Sequence, residues 1–227
     1  MSATPTFKRD TLKGRIIRKA IGEAVVAEAV GPITPGCEVY GLTMGKWSLV
    51  DLIEHCLRAT GPADVMISTW TAAGADIGFA NALLKNGAIK TLRFVVDSSF
   101  QLRQPAYCAA LRAAFGDDSI RMTENHAKFV TIRNEKWNLV LRGSMNLNEN
   151  RRLESFELSD CLPMAEFLEE TIDALFAKQK DTFTRSRNKH RELFGAEWAD
   201  GVSQDDGRFF DPSPLGVDLR RAGISYD

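Results

Sequence analysis

The sequence predicts an α/β protein, a mixed sheet flanked by helices on both faces. Three observations lead there. Strand-like and helix-like runs alternate between residues 64 and 115. A hairpin-like pair of strands follows at 128–132 and 137–141, so the connections are not all parallel crossovers. Hydrophobic content of 44% and charged content of 26% are ordinary for one soluble globular domain, and 227 residues lie within the range of a single core.

The elements can be taken in order. Residues 11–30 are helix-prone, with Ile16, Ile17, Ala20, Ile21 and Val25 on one side. Gly31-Pro32 and Pro35-Gly36 then break the chain. Ser48 is suited to cap a helix, with Asp51 three residues on. Leu49, Leu52, Ile53, Cys56 and Leu57 form its apolar stripe, and Gly61-Pro62 stops it. Residues 64–69 read as a buried strand, 72–85 as a helix, 91–97 as a second strand and 105–115 as a helix closed by Gly116. A short strand over 119–122 precedes the hairpin. A strand over 156–159 and an amphipathic helix over 164–183 follow it. From these the expected organisation is an N-terminal helix and linker over 1–36, a catalytic domain over 37–184 and a polar tail over 185–227. Phe194, Trp198, Phe209 and Phe210 are scattered through that tail among Gly and Pro.

Composition narrows the function classes. No run approaches the ~18 apolar residues of a membrane helix, and residues 1–8 lack an apolar signal core. A cytoplasmic protein with no membrane partner is therefore expected. The four cysteines (Cys37, Cys56, Cys108, Cys161) form no C-x-x-C pair and read as reduced, mostly buried thiols. No phosphate-binding glycine loop and no H-E-x-x-H are present, so neither nucleoside triphosphate nor zinc is suggested. Net charge is −1, but basic residues cluster near the N-terminus, at Arg142, Arg151 and Arg152, and again over 185–191.

The residues that carry chemistry lie in one stretch. His126-Ala-Lys128 precedes Gly143-Ser144-Met145-Asn146, and Glu157 follows. Side chains two apart in extended chain share a face, so His126 and Lys128 project into one space, and Ser144 and Asn146 repeat the spacing. A neutral imidazole can attack phosphorus, an ammonium can hold the phosphate oxygens, and hydroxyl and amide groups add neutral donors. A carboxylate such as Glu157 can hold the second ring nitrogen of a histidine and set its tautomer. His55, on a helix stripe, and His190, in the charged tail, have no such context. Loops after strands often line sites in mixed sheets, which makes Trp70 a candidate wall of a substrate groove and gives Asp97-Ser98-Ser99 a similar claim.

The stretch 126–157 resembles the HKD motif of the phospholipase D superfamily. That motif reads H-x-K, four residues, Asp, then G-S-x-N and a later Glu. His126, Lys128, Gly143, Ser144, Asn146 and Glu157 match it in order, and Arg133 stands where the motif has its Asp. The flanking pattern extends the likeness to about residues 40–183. The family Asp is read as structural, so the departure bears on local architecture more than on chemistry. The resemblance implies a largely mixed sheet between helical layers, with the histidine and lysine at the start of a strand and the serine and asparagine just past its hairpin partner. It also implies a phosphodiesterase that needs no metal or cofactor. The motif occurs once, as in small bacterial nucleases that pair as homodimers, so the second imidazole is expected from His126 of another copy. The expected function is cleavage of DNA through a phosphohistidine. Catalysis would fall to His126, Lys128, Ser144, Asn146 and Glu157, with Arg142, Arg151, Arg152 and Trp70 contacting substrate. Two alternatives stay open: a lipid phosphodiesterase, and a DNA-binding or assembly protein that keeps the fold without cutting.

Overall fold

The computed structural model describes residues 26–44, 47–148 and 152–179, together with the backbone of 16–20. The polar tail and Arg151 lie outside the described residues. Eight strands form one sheet: β1 (Ile16–Ala20), β2 (Glu38–Thr43), β3 (Ala63–Thr69), β4 (Ile89–Asp97), β5 (Ile120–Thr123), β6 (Phe129–Arg133), β7 (Asn138–Gly143) and β8 (Glu154–Asp160). Their spatial order is β1-β2-β8-β7-β6-β3-β4-β5. The helices are α1 (Val26–Val30), α2 (Leu49–Thr60), α3 (Gly74–Lys85), α4 (Phe100–Arg103), α5 (Pro105–Phe115) and α6 (Leu162–Lys178). The predicted mixed α/β sheet with helices on both faces is the architecture observed.

Local chemistry accounts for the well-defined elements. Ser48 and Asp51 form a reciprocal capping box at the start of α2, satisfying donors that a helix leaves open. Gly61 ends α2 and Gly116 ends α5, both at positive φ. The alternation of β7 assigns its two faces. Leu139 and Leu141 join the main core with α1, α2, α3 and α5, whereas Val140 packs on Met164 and Ala165 of α6.

On the α6 face polar and charged contacts join the buried apolar residues Met164, Ala165, Ile172 and Leu175. Thr131 donates to Glu169 at 2.9 Å, and Arg133 makes a short ion pair with the same carboxylate. Arg93 reaches Asp173 at 2.5 Å, and Arg121 lies over the Phe176 ring at 4.3 Å. Arg133 therefore clamps α6 to the middle of the sheet.

Two sequence expectations change. Of the stretch 11–30 expected to be helical, the described residues 16–20 form strand β1, parallel to β2, and the described helix is Val26–Val30. The pair Ile16-Ile17 suits extended backbone, and pairing with β2 supplies ladder bonds that an isolated helix must find alone. Strand β2 itself went unforeseen because Gly41 interrupts its pattern. The structure gives that glycine a use. It pairs with Phe156, and an added Cβ would stand 2.3 Å from the Phe156 ring.

Strand directions bring the functional segments together. Strands β3, β4 and β5 run parallel, and β6 is antiparallel to β3, so the start of β6 lies at their carboxyl ends. Strand β7 is antiparallel to β6 and finishes at that same end, where β8 begins.

A double-mutant cycle tests the clamp on α6. Arg133→Ala and Glu169→Ala should each lower Tm, with a coupling energy of about 1–2 kcal/mol because the pair is partly buried and charge-assisted. Any catalytic rate should stay within about threefold of the parent, since neither group reaches the carboxyl end of the sheet. An independent, additive loss would remove the clamp.

Candidate active site

The segment before β6 is fixed from beneath. Asn125 is 8% exposed, and its amide nitrogen donates to Ser68 Oγ at 3.0 Å, Thr69 O at 3.2 Å and Val95 O at 3.3 Å. Its side-chain oxygen accepts from the Ala127 N–H at 3.0 Å, and its own N–H donates to Asp97 at 2.9 Å. Ser68 Oγ also donates to Ala127 O at 2.9 Å. A single buried amide thus ties the loop to the ends of β3 and β4 and presents His126, which is exposed, above them.

Lys128 lies beside that imidazole. Its ammonium donates to His126 O at 2.9 Å and stands 3.4 Å from His126 Nδ1. The ammonium is thus anchored on the backbone carbonyl and lies along the Nδ1 edge of the ring. Burial pushes the Lys128 pKa below the ordinary lysine value, and the negative charge of Glu154 opposes that shift.

The G-S-x-N segment is set by a close crossing of backbones. A Cβ on Gly143 would stand 2.2 Å from Ser155 O, so only glycine lets β7 and β8 approach here. Ser144 then extends the ladder, its N–H donating to Ser155 O at 3.1 Å and its Oγ accepting from the Ser155 N–H at 2.9 Å. Asn146 Oδ1 accepts from the Trp70 N–H at 3.3 Å. An N–H requires oxygen opposite it, so the Asn146 amide nitrogen is turned the other way and retains donor capacity.

His126, Lys128, Ser144, Asn146 and Trp70 are therefore gathered at one end of the sheet. The Trp70 and His126 rings are 5.9 Å apart, inclined at 59°. Arg142 and Glu157 are opposite one another on β7 and β8 and bond at 2.5 Å. Phe156 and Leu158 join the main core, so Glu157 projects to the face that carries α6, where Arg142 also reaches Met164 Sδ at 3.9 Å. Glu157 is thus bonded to Arg142, where the sequence pointed to an imidazole. Arg152 is exposed ahead of β8. His55 is a fold residue, its Nε2 bonded to Gly31 O at 3.1 Å, and His190 lies outside the described residues.

Two functional candidates went unrecognised in the sequence. Glu154 receives a short hydrogen bond from Ser144 Oγ, so one carboxylate already engages a donor suited to a phosphate oxygen. Its only sequence signal is its place at the start of a strand after the G-S-x-N segment. Arg103 stacks its guanidinium on Trp70, 3.7 Å from the ring centroid, through a fold contact that no local pattern announces. The Asp97-Ser98-Ser99 loop is an anchor: the Asp97 carboxylate accepts from the N–H groups of Ser99 and Asn125, each at 2.9 Å, and from the Ser99 hydroxyl.

No family model matches the sequence, and no curated protein matches it. Among solved structures, the chain is similar to NucT from Helicobacter pylori, with a TM-score of 0.43 and 12% identity over 62% of this chain and 96% of that one. It is also similar to the polyphosphate kinase of Porphyromonas gingivalis, with a TM-score of 0.47 and 12% identity over 75% of this chain. It spans 32% of the kinase chain.

Glu154 makes a direct forecast. Glu154→Gln keeps the shape and a hydrogen-bond acceptor but removes a negative charge beside Ser144 and Lys128. Binding of tungstate, measured by calorimetry at low and fixed ionic strength, should tighten about three- to tenfold. Unchanged or weaker binding would show that Glu154 does not compete with an anion here.

Proposed function

We propose that this chain is a phospholipase D-type phosphodiesterase that cleaves DNA through a phosphohistidine, working as a homodimer. The observation that supports this reading is the gathering of His126, Lys128, Ser144 and Asn146 around one open end of the sheet. This set supplies a nucleophile, one cation and two neutral donors. They suit the attack of a neutral nitrogen on a phosphodiester, whose developing charge rests on the non-bridging oxygens.

In the proposed first step a ring nitrogen of His126 forms a bond to phosphorus and the bond to the leaving oxygen breaks. A second, protonated imidazole gives that oxygen its proton. Water then attacks phosphorus, the neutral second imidazole takes the water's proton, and the P–N bond breaks to release a phosphomonoester and free His126. Lys128, Ser144 and Asn146 hold the non-bridging oxygens throughout. Attack through Nε2 needs the ring proton on Nδ1. Arg151 and Arg152 are proposed to add positive charge along the strand path, whereas the charge of Arg142 is offset by Glu157. The described part of one chain brings only one histidine to this end of the sheet, so the second imidazole is assigned to His126 of a second copy. A twofold interface supplies it without further sequence.

Three outcomes test the reading. DNA cleavage should persist in excess EDTA, because each proposed step uses side chains and water alone. His126→Ala should lower kcat by roughly three orders of magnitude or more. Binding of DNA by wild type without cleavage, under any of these conditions, would leave the non-cutting alternative.

The dimer has its own signature. Mixing His126→Ala chains with wild type should depress activity below the simple fraction of wild-type chains, because each mixed pair lacks one imidazole. Activity proportional to the wild-type fraction would remove the shared site.

The alkaline limb of kcat/KM reports on Lys128. Its pKa is lowered, so the ammonium is present at low pH and is lost as pH rises through a value below that of ordinary lysine. Lys128→Arg stays charged and should carry the limb to higher pH, even where the rate falls.

A further inference from the structure

The Trp70–Arg103 pair is built more firmly than an incidental surface contact. Arg103 Nε donates to Ser99 Oγ at 2.8 Å, its Nη2 donates to Trp70 O at 3.2 Å, and Asp97 lies 3.9 Å from the guanidinium. Those contacts hold it by its edge and fix the orientation of its plane. Its central carbon lies over the indole, 3.7 Å from the ring centroid, yet the side chain keeps 31% of its exposure. The Trp70 loop is tied to the same unit, since Thr71 Oγ1 bonds Gln104 Oε1 at 2.5 Å and Asn146 accepts from the Trp70 N–H. The result is a rigid, exposed, flat surface that adjoins the His126 ring.

We propose that this Arg103–Trp70 stack is a nucleobase subsite, receiving a base adjacent to the phosphate that His126 attacks. The inference rests on the phosphodiesterase reading and adds a recognition element to it. Bases stack on aromatic rings and on guanidinium planes, and every base has such a face, so the subsite accepts bases without selecting a sequence. Position agrees with the role. A stacked strand advances ~3.4 Å per nucleotide, so an indole centred 5.9 Å from the imidazole lies within about two nucleotides of the attacked phosphate. Charge agrees as well. Asp97 offsets the positive charge of Arg103, leaving its plane, rather than its charge, as what it offers a ligand. A base must leave a duplex stack to reach this surface, so the strand bound here is unpaired at that point.

The test compares two labelled single-stranded DNA oligomers with the full-length protein. One is fully based; the other carries abasic tetrahydrofuran residues on both sides of one central phosphodiester. Cleavage at that bond is read on denaturing gels. Wild type should cut the abasic-flanked bond roughly ten- to hundredfold more slowly than the same bond between bases. Trp70→Ala and Arg103→Lys should cut both at nearly the same low rate. Arg103→Lys keeps the charge and loses only the plane, and it stands in if Trp70→Ala fails to fold. Equal cleavage of the two bonds by wild type, or variants that discriminate as wild type does, would overturn the subsite while leaving the nuclease reading intact. If wild type cuts neither oligomer, the nuclease reading fails and anisotropy of the same oligomers decides. Tighter binding of the based strand that Arg103→Lys abolishes supports the subsite, and equal binding of both strands overturns it.

Discussion

The side-chain amide of Asn125 is the joint on which this end of the molecule depends. It is almost fully buried, and a buried amide left without partners costs free energy on the order of a few kcal/mol. Its bonds to Ser68, Thr69, Val95 and Ala127 satisfy both ends of the group and hold two parallel strands and one incoming loop at fixed separation. Asp97 repeats the device with a carboxylate, accepting from Ser99 and Asn125. The exposed imidazole of His126 and the exposed guanidinium of Arg103 are therefore both held by groups that lie deeper in the fold. That is how a solvent-facing site acquires fixed geometry: its outer residues are mobile in principle and restrained in practice by satisfied polar groups beneath them.

The opposite face of the sheet uses another logic. Val140 of β7 meets Met164 and Ala165 of α6 through apolar packing, Ile172 and Leu175 of the helix are buried as well, and ionic, hydroxyl and cation–π contacts add to these. Arg133 sits within this set. A basic residue there, with an acidic partner on the helix, links the centre of the sheet to α6, as the Arg133–Glu169 and Thr131–Glu169 contacts show.

Much of this was legible in the sequence because it is locally encoded. The capping box at Ser48, the stop at Gly61 and the strand–helix alternation from 63 to 115 each depend on neighbours in the chain. So does the approach of His126 to Lys128, which needs only extended backbone. What escaped depends on pairing between distant segments. Strand β2 is a strand because of β8 and β1 because of β2, and Gly41 makes sense only opposite Phe156. Glu154 reaches Ser144 across a strand crossing, and Arg103 reaches Trp70 across two loops. Glu157 matched its motif position, yet its bond to Arg142 is visible only once the β7–β8 register is known. Periodicity cannot report contacts of that kind.

The sheet order has a consequence for how the chain is made. Glu38 of β2 pairs with Ser159 of β8, more than a hundred residues later. At a synthesis rate of about 5–20 residues per second, β2 waits roughly 6–24 s for that partner. During this interval its hydrogen-bonding edge is open while β3, α3, β4 and α5 can already assemble behind it. Such an open edge is the kind of surface on which nascent chains associate wrongly. A glycine in the middle of β2, which weakens that strand until Phe156 arrives to cover it, lowers the hazard. The same feature that hid β2 from pattern reading thus limits premature pairing at the ribosome.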